Sequence, residues 1–380
     1  MRPTWKCTAP PNSPILVGSP VIAAALVSVA AWLAPPTPAQ AQAAGALQPH
    51  SVRTLAHLNR PEPPLQQEPA AAPRPQDVCF GKTSPGDAAI SACSKLIQGE
   101  RWRHSQGPAY GRRAEAHRAQ GSVDAALADY DRAIKLEPKK ASHYLGRGLV
   151  YLELRDADRA IRDFGQAIGL DPRNATAFKR RAQAHRLSGN PDRAVADYDA
   201  AIRINSKDAD AHLQRGLIHR ELQDSARALG DFSRVTELDG ERMLGHYHRA
   251  AVLFEARRYD RAIRDLDRAI NLSPDHAPSF NLRGQAYAAI GETRRAIQDL
   301  DQAVQLDGHF AEAFVNRGNI FQSTNKWERA LADYGEAVRL KPQDAYSLYS
   351  RGLAMRALGR EEEAQVDIAK AKEIEPGIGP

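Results

Sequence analysis

From Gly107 onward, apolar residues recur at helical spacing in two short runs per unit, each closed by polar or turn-forming residues, and the pattern returns every 34 residues without insertion or deletion. One copy reads Phe314-Val-Asn-Arg317-Gly318-Asn-Ile-Phe321, then Arg329-Ala330-Leu-Ala-Asp333-Tyr334-Gly-Glu-Ala337-Val-Arg-Leu-Lys-Pro342. Eight copies overlay on it, at 107–140, 141–174, 175–208, 209–242, 243–276, 277–310, 311–344 and 345–378. A period of this length with two helical patterns per unit predicts an all-α solenoid of stacked antiparallel helix pairs.

Counting each copy so that Pro342 is position 32, position 8 is only Gly or Ala, position 20 is Ala in every copy, and position 27 is Ala except for Val235. Small residues there let two helix backbones approach closely. Bulky residues stand opposite at position 24, as Tyr130, Phe164, Tyr198, Phe232, Leu266, Leu300, Tyr334 and Ile368, and fill the space. Position 32 carries Pro138, Pro172, Pro274, Pro342 and Pro376, or Ser206, Gly240 and Gly308, so each unit closes on a helix breaker or turn former.

With these residues the sequence resembles the tetratricopeptide repeat family, whose bulky, Gly, Tyr, Ala, aromatic, Ala and Pro positions it matches at the same spacing. The resemblance implies a right-handed superhelix of helix pairs with a concave groove that holds peptides or partner proteins, and no catalysis. In the family, groove contacts come from the first helix of each copy, at positions 2, 5, 6, 9, 12 and 13. Carried onto this chain, early copies present Arg112, Arg118, Lys179, Arg180, Gln183, Arg186 and Arg220. Middle copies present Leu213, Leu217, Leu244, Tyr247 and Phe254, and late ones Asn281, Gln285, Asn316, Asn319 and Gln322, then Tyr346, Tyr349 and Leu353. Cations beside apolar groups, followed by amides, suit an extended acidic and aromatic or apolar segment, and the Leu213 to Phe254 group reads as an exposed apolar patch. The family's chaperone-tail clamp is not met, since its nearest set here is Lys179, Gln183, Gln214, Leu244 and His248. Its asparagine ladder is not met either, with only Asn316 at the required place.

One departure from the family pattern runs through all copies. Position 7 is always Arg (Arg113, Arg147, Arg181, Arg215, Arg249, Arg283, Arg317, Arg351), and position 23 is always Asp (Asp129, Asp163, Asp197, Asp231, Asp265, Asp299, Asp333, Asp367). Each Arg lies 16 residues before the Asp of its own copy and 18 after that of the preceding one, so either helix pair is able to join them. A row of like charges one layer apart needs an opposing row, and the pattern reads as a structural ladder that sets register between layers.

Upstream, Arg2 and Lys6 precede an apolar run from Ile15 to Ala34, and Ala39-Gln40-Ala41 follows it. This reads as a signal peptide, residues 1–41, for a periplasmic or secreted protein; the run is also long enough for an uncleaved inner-membrane anchor with the repeats facing the periplasm. Residues 42–76, rich in Ala, Pro and Gln, read as a disordered linker. Cys79 and Cys93 remain after signal removal, and residues 77–106 read as a degenerate first unit stapled by a disulfide between them.

Composition changes this picture little. The full chain carries net charge +6, and loss of residues 1–41 leaves 50 basic against 46 acidic groups, a mild excess; outside the repeats there is no concentrated basic stripe, interleaved with aromatics, of the kind a nucleic-acid or membrane-surface role needs, so a membrane is expected only through an uncleaved N-terminal segment. His117, His185 and His219 at position 11 and His212 and His246 at position 4 replace core aromatics and do not converge as metal ligands. No phosphate loop or nucleophile motif is present, and neither cofactor nor metal is expected. The sequence therefore points to a non-catalytic envelope adaptor that binds a protein or peptide, or alternatively to a self-assembling homo-oligomeric element without a peptide ligand.

Overall fold

The computed structural model describes residues 73–81 and 86–379. The N-terminal segment of apolar run and linker, residues 1–72, lies outside them. The described residues form α1 (Pro75–Cys79), α2 (Gly86–Gln98) and a 3-10 segment (Glu100–Ser105), then eight helical hairpins. The hairpins are α3 (Gln106–Ala119) with α4 (Val123–Leu136), α5 (Ala141–Glu153) with α6 (Ala157–Leu170), α7 (Ala175–Leu187) with α8 (Pro191–Ile204), and α9 (Ala209–Glu221) with α10 (Ser225–Leu238). They continue as α11 (Met243–Glu255) with α12 (Tyr259–Leu272), α13 (Ala277–Ala289) with α14 (Thr293–Leu306), α15 (Ala311–Ser323) with α16 (Trp327–Leu340), and α17 (Ala345–Ala357) with α18 (Glu361–Ile374). Among the described residues there is no strand, and the fold is an all-α solenoid as the period requires.

Small-against-large packing holds each hairpin together. Alanines 126, 160, 194, 228, 262, 296 and 330 have no solvent exposure, and neither do Phe164, Phe232, Leu266, Leu300 and Tyr334 at position 24. A Cβ added to Gly148 would sit 2.7 Å from the Phe164 ring, and one on Gly318 would sit 2.8 Å from Tyr334. Each second helix packs in turn on the first helix of the next copy, so the core is a row of small clusters, and Ala70–Pro380 is a compact unit by itself. Its core is closed by its own helices, so it folds without the preceding residues.

Successive first helices touch one another, α3 with α5, α5 with α7, α9 with α11, α11 with α13 and α13 with α15, whereas second helices are held further apart. The first helices thus lie on the inner side of the stack. The turn inside every hairpin passes through a left-handed residue at position 15: Gly121, Gly189, Gly291 and Gly359 in four copies, and Arg155 (φ 59°), Gln223 (61°), Arg257 (57°) and Asn325 (56°) in the others. At the N-terminal end, buried Cys79, Cys93, Leu96 and Ala109 form one cluster, with the two cysteine Cα atoms 4.9 Å apart, within reach of a disulfide.

Candidate partner-binding groove

The Arg–Asp rows resolve in one sense. Every position-7 Arg grips the Asp of its own copy: Arg147 Nε and Nη2 each donate over 2.8 Å to Asp163, and Arg317 does the same to Asp333 at 2.9 and 2.7 Å. The same fork holds in Arg113–Asp129, Arg181–Asp197, Arg215–Asp231, Arg249–Asp265, Arg283–Asp299 and Arg351–Asp367. This clamp joins the two helices of one hairpin. Register between layers comes from a second carboxylate that the sequence reading missed, 16 residues before the Arg. Arg147 Nη1 reaches Asp131, Arg215 Asp199 and Arg283 Asp267 at 2.6 Å each, and Arg317 reaches Asp301 at 2.7 Å. Ser94 and Thr236 substitute for it at Arg113 and Arg249. Gly165 faces Arg181, whose Nη1 lies 3.8 Å from where its Cβ would be. The hydrogen bonds that Arg147 and Arg317 donate to Asp163 and Asp333 raise the pKa of both guanidinium groups, so these arginines stay charged.

The histidines sit where the aromatic pattern put them. His185, His212 and His219 are buried, His212 Nδ1 lies 3.1 Å from Asp231, and desolvation lowers the pKa of His185 and His219. Among the described residues, no three His, Cys, Asp or Glu side chains are grouped to hold a metal ion.

On the inner face, the expected early cations are half-buried or exposed and already paired. Lys179 lies 2.8 Å from Asp208, Arg180 donates to Gln183 at 2.9 Å, Arg186 pairs with Glu221, and Arg220 is 3.6 Å from Glu255. Position-12 Arg meets position-13 Glu of the next copy, a 35-residue offset also seen in Arg118–Glu153 at 2.5 Å. The charges of Lys179, Arg186 and Arg220, expected to attract an acidic ligand, are thus met by carboxylates within the groove, whereas Arg180 is held by a neutral amide. A correction concerns Leu213, which is 2% exposed and packs with Ala228, Phe232, Val235 and Val252, so it belongs to the core and not to an apolar patch. Leu217 is half-buried against the same cluster, and Leu244 is 40% exposed.

Tyr247 and Phe254 are half-buried beside Leu253 and Leu266. Tyr247 stacks edge-on with His248 and His276, with ring centroids 5.1 and 5.0 Å apart. Burial, with the Arg220 guanidinium and His276 adding to it, pushes the His248 imidazole down to about 4. From here to α17 the inner face is nearly uncharged. Asn316 Nδ2 donates to Asn281 Oδ1 over 2.9 Å, joining the successive first helices α13 and α15. The Tyr334 hydroxyl lies 2.7 Å from both Asn319 Oδ1 and Gln322 Oε1, and Tyr346 donates to Asn319 over 3.2 Å. One phenol proton serves a single acceptor, so one of the two amides turns its NH2 to the phenol oxygen and points its carbonyl elsewhere. The structure thus forms two amide groups on this face, Asn281 with Asn316 and Asn319 with Gln322, Tyr334 and Tyr346; Gln285 lies half-buried on the same face without a side-chain bond among the described residues.

Tandem hairpins whose first helices share an inner face define an α-solenoid, a class of generally non-catalytic scaffolds. Profiles described as "Tetratricopeptide repeat" match residues 112–175, 145–209, 179–242, 244–276 and 277–310, and one described as "TPR repeat" matches 318–359. The chain belongs to the tetratricopeptide repeat family. A search of curated proteins gives no match. Among solved structures, the APC/C hetero-tetramer Cut9-Hcn1 is 18% identical over 71% of this chain and 52% of its own, with TM-score 0.50, so this chain spans about half of it. A tetratricopeptide repeat protein from Parabacteroides merdae is 20% identical over 69% and 98%, TM-score 0.49. YrrB, described as a TPR protein with an unusual peptide-binding site, is 21% identical over 48% and 93%, TM-score 0.40. Proteins of this family generally bind proteins or peptides, and this chain is an interaction adaptor in that sense.

Proposed function

We propose that the chain is a non-catalytic scaffold that holds an extended, largely uncharged segment of a partner protein along the inner face of its fifth to eighth repeats, on the far side of a membrane from the cytoplasm. The observation that carries this is the change along the inner face, from paired ions in the early copies to amides, phenols and half-buried aromatics from Tyr247 onward. Amides supply both a donor and an acceptor, which a peptide main chain matches residue by residue, and Tyr247 with Phe254 offers an apolar seat for a side chain. Export follows from the basic and apolar N-terminal segment, and in that compartment Cys79 and Cys93 form a disulfide.

The test is crosslinking capture from the envelope fraction, comparing the natural chain with Tyr247→Ala, Phe254→Ala and Gln285→Ala variants and with Arg186→Ala. The first three are expected to lose the partner, with oligomeric mass unchanged and Arg186→Ala retaining it. Loss of self-association with retention of every partner would instead support the assembly element.

A further inference from the structure

Between α8 and α10, with α9 as its floor, the structure holds a cavity of about 440 Å3 that none of the inner-face residues lines. Three helices supply its walls, and each lacks atoms at this layer. α8 places Val195 there at position 21, where the other copies from the first to the seventh carry Leu or Ile. α10 places Gly230 at position 22, where no other copy has Gly, and a Cβ added to it would meet nothing within 4 Å. α9 places His212 and His219 at positions 4 and 11, and no other copy has His at both. No other layer combines these residues, so the opening belongs to the fourth repeat and not to the repeat in general.

Other layers show what fills the same place. Arg159 lies over the Tyr151 ring at 4.5 Å, Arg295 over Tyr287 at 5.6 Å and Arg329 over Phe321 at 5.5 Å. In the sixth repeat the clamp guanidinium of Arg283 also faces the rings of Phe280 and Tyr287, at 5.6 and 6.0 Å. The usual tenant is an aromatic ring beside guanidinium groups, which its face attracts. In the fourth repeat the arginines remain, Arg215 in the floor and Arg227 on the wall, and the rings are replaced by the smaller imidazoles. Charge does not favour an anion in their stead. Asp199 and Asp231 both hold Arg215, Asp224 lies 3.2 Å from Arg227, and Glu237 lies 3.0 Å from Arg234. His212 is committed as well, to Asp231 at 3.1 Å and to the Ser206 carbonyl at 3.4 Å. His219 is left over. It is 5% exposed, makes no hydrogen bond among the described residues, and its nearest carboxylate oxygen, on Asp231, is 3.9 Å away. Burial lowers its pKa, so the imidazole is neutral and offers one donor and one acceptor. The cavity exceeds the roughly 150 Å3 that admits a benzene, and it sets a free hydrogen-bonding group beside a cation without a ring.

We propose that this cavity binds a neutral phenol from outside the chain, its ring stacked on Arg227 and its hydroxyl hydrogen-bonded to His219. The test uses the Ala70–Pro380 unit with p-cresol, toluene and methylcyclohexane, read by saturation-transfer NMR and by the imidazole nitrogen shifts of His219. p-Cresol is expected to bind saturably and to move those shifts, toluene to bind more weakly without moving them, and methylcyclohexane not to bind. His219→Tyr supplies from within the ring that Tyr151 and Tyr287 supply in their own repeats, and should lower p-cresol affinity about tenfold or more. Gly230→Gln, which fills the wall with the residue that the sixth repeat carries as Gln298, should lower it likewise while circular dichroism shows the helices intact. Ala332→Gln, at the same position of the seventh repeat, should leave it unchanged. Methylcyclohexane binding as tightly as p-cresol, unmoved His219 shifts, or unchanged affinity in both His219→Tyr and Gly230→Gln would overturn the proposal. N-acetyltyrosinamide separates the sources of the ring: binding as tight as that of p-cresol assigns it to a partner's tyrosine, and exclusion assigns it to a free small phenol. Peptide capture by the inner groove is read separately and does not depend on either outcome.

Discussion

The clamp makes a differential prediction. In the third repeat Asp197 is 7% exposed and, among the described residues, supplies the only carboxylate on Arg181, because the preceding copy has Gly165 at the place of the second. In the sixth repeat Arg283 is held by Asp299, 10% exposed, and also by Asp267 at 2.6 Å. Removing one member of a buried pair strands the other charge at about 3–5 kcal/mol. Asp197→Asn is therefore expected to cost about 4 kcal/mol. Asp299→Asn leaves Arg283 a charge-assisted bond worth about 1.5–3 kcal/mol, reduced by the 46% exposure of Asp267, so its cost falls to about 2 kcal/mol. Gly165→Asp supplies the missing rung: it should stabilise the natural chain by about 1 kcal/mol, from the pair and from removal of a mid-helix Gly, and bring the cost of Asp197→Asn down to that of Asp299→Asn. Urea unfolding followed by circular dichroism gives the totals. Because solenoids lose two-state behaviour, amide exchange in α7–α8 and α13–α14 should show where the loss falls. Equal costs for the two Asp→Asn changes, or a Gly165→Asp background that leaves their difference intact, would refute the reasoning.

Other consequences are simpler. His248 is half-buried, with its pKa near 4, below the ordinary 6.5, so its contribution is full above pH 6.5 and is lost as the pH falls toward 4, by up to about 3 kcal/mol; His248→Phe should flatten that acid limb of a stability-versus-pH curve. Leu213→Ala should cost about 2–5 kcal/mol in urea unfolding, whereas Leu244→Ala, 40% exposed, should cost little. Gln223→Gly at a left-handed turn should raise stability by up to about 1 kcal/mol, measured the same way. If the proposed Cys79–Cys93 disulfide forms, alkylation before and after reduction should give different masses, and reduction should lower the stability of the N-terminal end by about 3 kcal/mol.

The repeat was legible because its period and its small-against-large positions are forced by backbone approach at every layer, and one such rule written eight times is hard to miss. The Arg and Asp columns were visible for the same reason, but their pairing was not: offsets of 16 and 18 residues both join neighbouring helices, and only the depth of the Asp on the second helix selects its own hairpin. The second rung escaped because it is incomplete, with Gly165 and Gly335 interrupting Asp131, Asp199, Asp267 and Asp301. The left-handed turn residue was hidden by its mixture of Gly with Arg, Gln and Asn. Leu213 was misplaced because the family groove position was transferred by number, whereas here that side chain packs with Ala228, Phe232, Val235 and Val252.

Because most positions of each copy are fixed by packing, clamp or turn, selectivity is left to the few inner positions, and the uncharged ones occupy four successive layers. Neighbouring helices pack about 8–10 Å apart, so three steps from α11 to α17 cover about 30 Å. An extended chain advances about 3.3–3.6 Å per residue, which makes the matching ligand about nine residues long. Uncharged peptides carrying one aromatic residue should therefore gain affinity with length up to about nine residues and then level off, measured by calorimetry on the Ala70–Pro380 unit. Addition of Asp or Glu should bring no gain, since the early cations already hold Asp208, Glu221 and Glu255. A steady rise with acidic content would mean that those ion pairs open for the ligand, and the inner face would then have to be read from its charges and not from its amides.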